Sequence, residues 1–216
     1  MGMFVLALVL AAVCGYLIGG INISILLSRW RYGKDVRTMG SGNAGMTNML
    51  RNFGKTSAII AFVFDTLKGA LAVFLGRWIL TLLAPGADTL YAAYVAGFFT
   101  IFGHSFPVYF GFKGGKGVLA AFGVILAIEP VVGLILLAIF LLVLVLSKMV
   151  SLGSVIGISF YPVVTLLWCL LGPGRLPVFS TICAAVIAGF VVWLHRSNLQ
   201  RIAAHTEPKV GRKKDK

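Results

Sequence analysis

The sequence predicts an all-α, polytopic integral membrane protein, on three observations. Hydrophobic residues make up 59% of the chain and charged residues only 12%, a balance that soluble domains do not sustain. Apolar runs recur along almost the whole length, most of them near the roughly 20 residues that cross a bilayer as a helix. Lys and Arg gather in alternate connections between those runs, the pattern that orients membrane spans.

The runs place helices near 3–28, 56–82, 89–110, 117–128, 130–147, 152–171 and 178–195. No Lys or Arg precedes the first run and the first cation is Arg29, so it reads as a span rather than a signal peptide. Its Gly15 and Gly19, four apart like Gly153 and Gly157 in the sixth run, suit close helix crossings. The second run carries Asp65-x-x-Lys68-Gly69. Ionisable groups at that depth are costly and either pair or face a cavity, and residues three apart on a helix can pair. The fourth run is short, and Glu129-Pro130 separates it from the fifth. That break favours seven spans over the six that a merged helix would leave.

Charge orients the spans. The first connection holds Arg29, Arg31, Lys34, Arg37, Arg51 and Lys55, the third holds Lys113 and Lys116, and the fifth holds Lys148. The tail holds Arg196, Arg201, Lys209, Arg212, Lys213, Lys214 and Lys216, whereas the opposite connections offer Arg77, Asp88, Glu129 and Arg175. The N-terminus is therefore expected outside and the C-terminus in the cytoplasm. One membrane domain over 1–204 and a basic tail over 205–216 follow. The net charge of +13 then addresses the membrane surface and anionic substrates rather than nucleic acid.

Three polar clusters fall on the expected cytoplasmic side, which points to one shared site. The first is Gly40-Ser41-Gly42-Asn43-Ala44-Gly45-Met46-Thr47-Asn48, closed by Arg51. Its glycines expose backbone N–H groups beside cations, a chemistry suited to phosphate. Gly40-x-Gly42-x-x-Gly45 formally matches the dinucleotide fingerprint, but no βαβ unit surrounds it. A capped helix start would need one of Ser41 or Asn43 rather than so many polar residues. The second cluster runs from Gly103-His104-Ser105-Phe106-Pro107 to Gly114-Gly115-Lys116-Gly117. It is no Walker A motif, because Gly117 stands where Ser or Thr is required. It still sets glycine amides, a helix start and a cation together. The third is split between Ser151-Leu152-Gly153-Ser154 and His195-x-x-Asn198-x-x-Arg201, with Thr206-Glu207-Pro208-Lys209 beyond. The spacing of three sets His195, Asn198 and Arg201 along one helical face.

Other chemistries are excluded. Three scattered histidines without a carboxylate cluster fail the ligand count of a metal site, and Cys14, Cys169 and Cys183 lack metal-ligand spacing. No cofactor motif is present. Tyr109, Gln200 and Val210 lie five residues after the histidines, so the His-x-x-x-x-Asp pair of thioester-dependent glycerolipid acyltransferases is missing.

The first cluster with Arg51, Asp65-x-x-Lys68-Gly69, Gly103-His104-x-x-Pro107 with Gly114-Gly115-Lys116-Gly117, and His195-x-x-Asn198-x-x-Arg201 with Thr206-Glu207-x-Lys209 together resemble the bacterial acyl-phosphate-dependent glycerol-3-phosphate acyltransferases (PlsY). The resemblance covers nearly the whole chain. It implies a seven-helix protein of the bacterial inner membrane with a cytoplasm-facing site. It implies transfer of a fatty acyl group from acyl phosphate to the 1-hydroxyl of glycerol-3-phosphate, giving lysophosphatidic acid and phosphate, the first step of phospholipid synthesis. By that analogy Ser41, His195 and Asn198 are catalytic. Gly40, Gly42, Asn43, Thr47, Asn48, Arg51, Lys68, His104, Gly114, Gly115, Lys116, Gly117, Ser151, Ser154 and Glu207 would bind substrate. The partners would be the two substrates and membrane lipid, with no cofactor, metal, nucleic acid or obligatory protein partner. Two positions depart from the family pattern: His205 stands where a Gly usually precedes Thr-Glu, and Ile21-Asn22 where Ile-Pro is frequent.

Two other classes use similar residues. A transporter of organic phosphates also needs basic, glycine-rich half-helix ends, but with access from both faces and, in many cases, matched broken helices in the two halves. A non-catalytic scaffold has no need of such a density of glycine, amide and cation.

Overall fold

The computed structural model describes residues 1–210, which are all-helical without a strand. Arg212, Lys213, Lys214 and Lys216 of the expected basic tail lie outside the described residues. Each of the seven apolar runs becomes helical, several with interruptions. By length and apolarity five segments suffice to cross a membrane: Gly2–Tyr32, Met46–Leu83, Pro130–Ser147, Val150–Leu171 and Pro177–Leu194. The chain forms two compact units, Met1–Ile128 and the part from Glu129 on.

The first unit holds α1 (Gly2–Gly20), α2 (Ile23–Tyr32), α3 (Met46–Leu83), α4 (Leu90–Ser105) and α5 (Val118–Ile128). The expected 3–28 helix is two, because Asn22 takes an extended conformation and caps α2, accepting from the Ile25 N–H at 3.1 Å. α3 starts ten residues earlier than its apolar run, at Met46, and kinks at Gly54, whose φ of 82° is not helical. That kink separates a short segment bearing Asn48 and Arg51 from the long apolar helix. α4 stops at Ser105, short of the expected 110, and Val108–Phe110 forms one 3-10 turn.

Apolar surface gives helices little reason to associate inside lipid, so close van der Waals approach decides the packing. α1 presents Gly15 and Gly19 to α4, where a Cβ on either would strike the Ala96 or Thr100 carbonyl. Gly103 returns the fit against the Tyr16 carbonyl. α3 and α5 meet through Gly69 against Ala120 and Gly123 against Thr66. The alanines Ala7, Ala11, Ala92 and Ala96 close the same core with Leu80.

The second unit holds α6 (Pro130–Ser147), α7 (Val150–Ser159), α8 (Tyr161–Leu171), α9 (Pro177–Leu194) and α10 (Arg196–Ala203). Glu129 is the N-cap and Pro130 the first residue of α6, so the chain breaks where the sequence places the break. The 152–171 helix divides at Phe160, and Pro162 sits in the first turn of α8, a position that needs no N–H. Gly153 packs against Phe140 of α6. Trp168 Nε1 donates to the Glu129 carboxylate at 2.8 Å, tying α8 to the start of α6.

Candidate active site

In the first unit the fold brings the first two glycine-rich clusters together. The first loop is built around Asn48, which is buried in the opening turn of α3. Its amide donates to the carbonyls of Val36 and Met39 at 2.9 and 3.0 Å. Its oxygen accepts from the Ser41 N–H at 3.1 Å and from Asn52 at 2.9 Å. Asn48 therefore spends its polar atoms on the loop itself. Gly40 and Gly42 have φ of 57° and 69°, the left-handed region where glycine carries no Cβ penalty. The N-cap of α3 is Gly45, without a side-chain cap, so neither Ser41 nor Asn43 serves as one. Ser41 is exposed, Asn43 and Thr47 are half-buried, and Arg51 is exposed with no hydrogen bond or ion pair among the described residues. Ile25, Leu27, Val36, Ala44 and Met49 form the apolar plug beneath this loop.

Two residues outside the expected set hold the loop. Asn22 donates to the Ala44 carbonyl at 3.3 Å. Arg37 donates to the carbonyls of Phe110 and Lys113 at 2.7 and 2.9 Å, tying the first loop to the second. Arg37 is itself fixed by Asp35, which also pairs with Arg29, each at 2.8 Å. The Arg37 guanidinium, with help from Arg29, holds the Asp35 carboxyl well below the usual carboxylate range despite partial burial. An acid followed two residues later by Arg inside an otherwise basic loop was the sequence signal for this anchor. For Asn22 it was no more than a lone amide inside the first apolar run.

The second loop leaves α4 at His104 and Ser105. The N–H groups of Gly114 and Gly115 are not bare, as the sequence suggests. They donate to the carbonyls of Ser105 and His104 at 3.0 and 3.1 Å. Gly115 is also the contact between the two loops, since a Cβ there would strike the His104 ring and lie 2.6 Å from the Ala44 carbonyl. Lys116 is half-buried, and Gly117 accepts the first bond of α5, from the Ala121 N–H at 2.7 Å. The N–H groups of the first turn of α5 thus open beside Lys116.

Beneath these loops lies a buried ionic cluster. Lys68 Nζ reaches Asp65 Oδ1 at 2.7 Å, His104 Nδ1 at 2.9 Å and the Ile21 carbonyl at 3.0 Å. All three side chains are at least nine-tenths buried.

In the second unit Glu207 is the hub. One carboxylate oxygen accepts from Ser151 and Asn198, each at 2.7 Å, and the other from Arg201 Nε at 2.8 Å. Burial pushes its pKa up, but these three donors outweigh it and hold the carboxyl below its ordinary value. His195 is buried between α9 and α10, its Nδ1 2.8 Å from the Val191 carbonyl. A carbonyl can only accept, so Nδ1 carries a proton and Nε2 of the neutral ring is an acceptor. Ser154 donates back to Val150 at 2.9 Å.

His205 has φ of 56°, so the turn that a glycine would make is kept by a residue strained there. The left-handed form costs a non-glycine residue roughly 1–2 kcal/mol, of which glycine's unfolded-state entropy offsets about 0.5–1 kcal/mol. His205→Gly is therefore expected to raise the melting temperature slightly, with unchanged activity; a lower melting temperature would contradict the strain.

The family model described as glycerol-3-phosphate acyltransferase matches residues 9–205. A glycerol-3-phosphate acyltransferase of Clostridioides difficile is 39% identical over 213 residues, 99% of this chain and 100% of that one. One from Synechococcus elongatus is 40% identical over 210 residues, 96% of this chain and 97% of the relative. The crystal structure of PlsY (YgiH), an integral membrane glycerol 3-phosphate acyltransferase, is similar in its glycerol 3-phosphate form, with a TM-score of 0.79 and 30% identity over 94% of this chain and 96% of that one. The lysophosphatidic acid form gives a TM-score of 0.78 at 29% identity, covering 94% and 95%. These matches, with the five long apolar segments, make this an all-helical, multi-pass membrane protein of the PlsY fold. The chain belongs to the glycerol-3-phosphate acyltransferase family.

Proposed function

We propose that the protein transfers a fatty acyl group from acyl phosphate to the 1-hydroxyl of glycerol-3-phosphate. The observation that carries this reading is the meeting of two glycine-rich loops, one followed by Arg51 and one containing Lys116, at the Ala44–Gly115 contact. Two anionic substrates call for two such places. The relatives named above are glycerol-3-phosphate acyltransferases, and PlsY (YgiH) is described in a glycerol 3-phosphate form and in a lysophosphatidic acid form.

The reaction needs little from a protein base. The glycerol oxygen attacks the acyl carbonyl, the bond from that carbon to the phosphate oxygen breaks, and phosphate leaves and takes the hydroxyl proton. Arg51 and Lys116 hold phosphoryl groups through charge-assisted hydrogen bonds. Gly40, Gly42, Gly114, Gly115 and Gly117 let the backbone approach them, and Asn43, Thr47, Asn48, Lys68 and His104 line or support that pocket. Ser41 meets the reacting carbonyl. Asn198 and the His195 Nε2 acceptor orient the glycerol hydroxyl, held by Ser151, Ser154 and Glu207. Rate comes from positioning and charge stabilisation. The apolar helices take the acyl chain from the bilayer, and no cofactor, metal or obligatory protein partner enters.

The same reading sets seven spans in the bacterial inner membrane, with the N-terminus outside and the site toward the cytoplasm. Single cysteines in N43C, G114C and N198C should label from the cytoplasm and D88C from outside. Labelling of positions 43 and 114 from opposite faces would break it. The donor is tested with purified protein in detergent. Palmitoyl phosphate plus glycerol-3-phosphate should yield lysophosphatidic acid, whereas palmitoyl-CoA should not substitute. Equal use of palmitoyl-CoA would overturn the donor assignment.

A further inference from the structure

We infer that Lys68, Asp65 and His104 form a positioning cluster that sets the two glycine-rich loops against each other and so fixes the affinity for both anionic substrates. The inference rests on the function proposed above and says how Lys68 and His104, with Asp65, support that pocket.

A lysine and an aspartate in the middle of an apolar helix are costly, and simple packing would be served by hydrophobic side chains of the same volume. The geometry gives the ammonium another task. The ammonium pairs with Asp65 Oδ1 at 2.7 Å and hydrogen-bonds His104 Nδ1 at 2.9 Å and the Ile21 carbonyl at 3.0 Å. With its charge matched by Asp65 and its donors turned to His104 and Ile21 in a buried cluster, Lys68 is a positioning residue rather than a phosphate ligand.

Two of those acceptors begin the frames of the two loops. Ile21 lies at the break between α1 and α2, and its neighbour Asn22 donates to the Ala44 carbonyl of the first loop at 3.3 Å. His104 accepts the Gly115 N–H at its own carbonyl at 3.1 Å, and its ring packs on Gly115. Gly115 in turn abuts the Ala44 carbonyl. The path from Lys68 through Ile21, Asn22 and Ala44, then Gly115 and His104, closes on Lys68. Asp65, also 3.4 Å from His104 Nδ1, supplies the counter-charge. Opening the circuit at Lys68 removes the shared tie beneath both loops and leaves the Arg37 bonds to Phe110 and Lys113 as the link between them.

The two ring nitrogens of His104 make the test selective. Asn at 104 keeps a polar group near Nδ1, the atom that meets Lys68, whereas Gln keeps one near Nε2. H104N is expected to raise both KM values together, and by less than H104Q does. H104Q and K68M should raise KM for glycerol-3-phosphate and for palmitoyl phosphate together, by about tenfold or more, with a smaller change in kcat, because a small misplacement of binding groups is costly. Stabilisation by glycerol-3-phosphate, read as the shift in melting temperature of the purified protein, should follow the same order. This arm needs no acyl donor, so it decides the inference even if palmitoyl phosphate is not used. It also decides through the His104 pair should K68M fail to fold. A parent-like H104Q beside a weakened H104N would overturn the proposal, since Nε2 would then act directly. So would folded variants with unchanged KM values, or a rise for one substrate alone.

Discussion

Arg51→Ala is expected to lower kcat/KM by at least about 10- to 100-fold while leaving the fold intact, because a charge-assisted phosphate contact is worth roughly 1.5–3 kcal/mol. Arg51 is exposed and has no partner among the described residues. Its loss therefore orphans no buried group, and exposed substitutions of that kind move stability by only about 0.5 kcal/mol. Lys116→Ala should be as severe, since Lys116 stands between Gly115 and Gly117 at the start of α5. The check is steady-state kinetics on material whose melting temperature matches the parent. Near-normal turnover in either variant would remove that cation from the site.

Glu207→Ala is expected to cost both stability and activity. The buried carboxylate gathers Ser151, Asn198 and Arg201 at 2.7, 2.7 and 2.8 Å. Truncation strands three donors at once, and losing a hydrogen bond to a charged group costs roughly 1.5–3 kcal/mol. Asn198, which orients the glycerol in the proposed reaction, would lose its fixed rotamer. Glu207→Gln keeps an acceptor for Ser151 and Asn198 and should cost about half as much, chiefly through Arg201. The native pKa of Glu207 lies below its ordinary value, so the unfolded state binds more protons in the acid range. The contribution is thus complete above the unfolded value of about 4.3 and is lost as pH falls through the lower native value. Melting temperatures from pH 8 to 5 should not move on this account, and Glu207→Gln should flatten only the acid limb. A fall in the parent's melting temperature between pH 8 and 5 that Glu207→Gln removes would contradict the assignment.

The helices were legible because a lipid-facing helix announces itself in composition, and Glu129-Pro130 marked a break that composition alone would have bridged. The ends were less legible. The sequence places the second helix near 56, but α3 begins at Met46, because Asn48 and the apolar plug under the loop make a helical turn of a segment with little apolar periodicity. The division at Asn22 was hidden inside an apolar run, and only the Ala44 carbonyl it serves explains it. At the site, spacing of three paired Asp65 with Lys68 correctly but could not bring in His104, which arrives from another helix. Asn48 and Arg51 close the same cluster in the sequence, yet one is buried in the loop and the other is exposed. Residues that act through long-range contacts to backbone carbonyls, Arg37 above all, carry almost no local signature.

The central claim is that acyl transfer and phosphate release are one event on this chain, and the most direct measurement is phosphate release from palmitoyl phosphate with and without glycerol-3-phosphate. Purified protein should release phosphate only when glycerol-3-phosphate is present, one phosphate for each lysophosphatidic acid formed, and lose both products together in Arg51→Ala. Phosphate released at the same rate without glycerol-3-phosphate, or none released while glycerol-3-phosphate crosses sealed proteoliposomes, would contradict it.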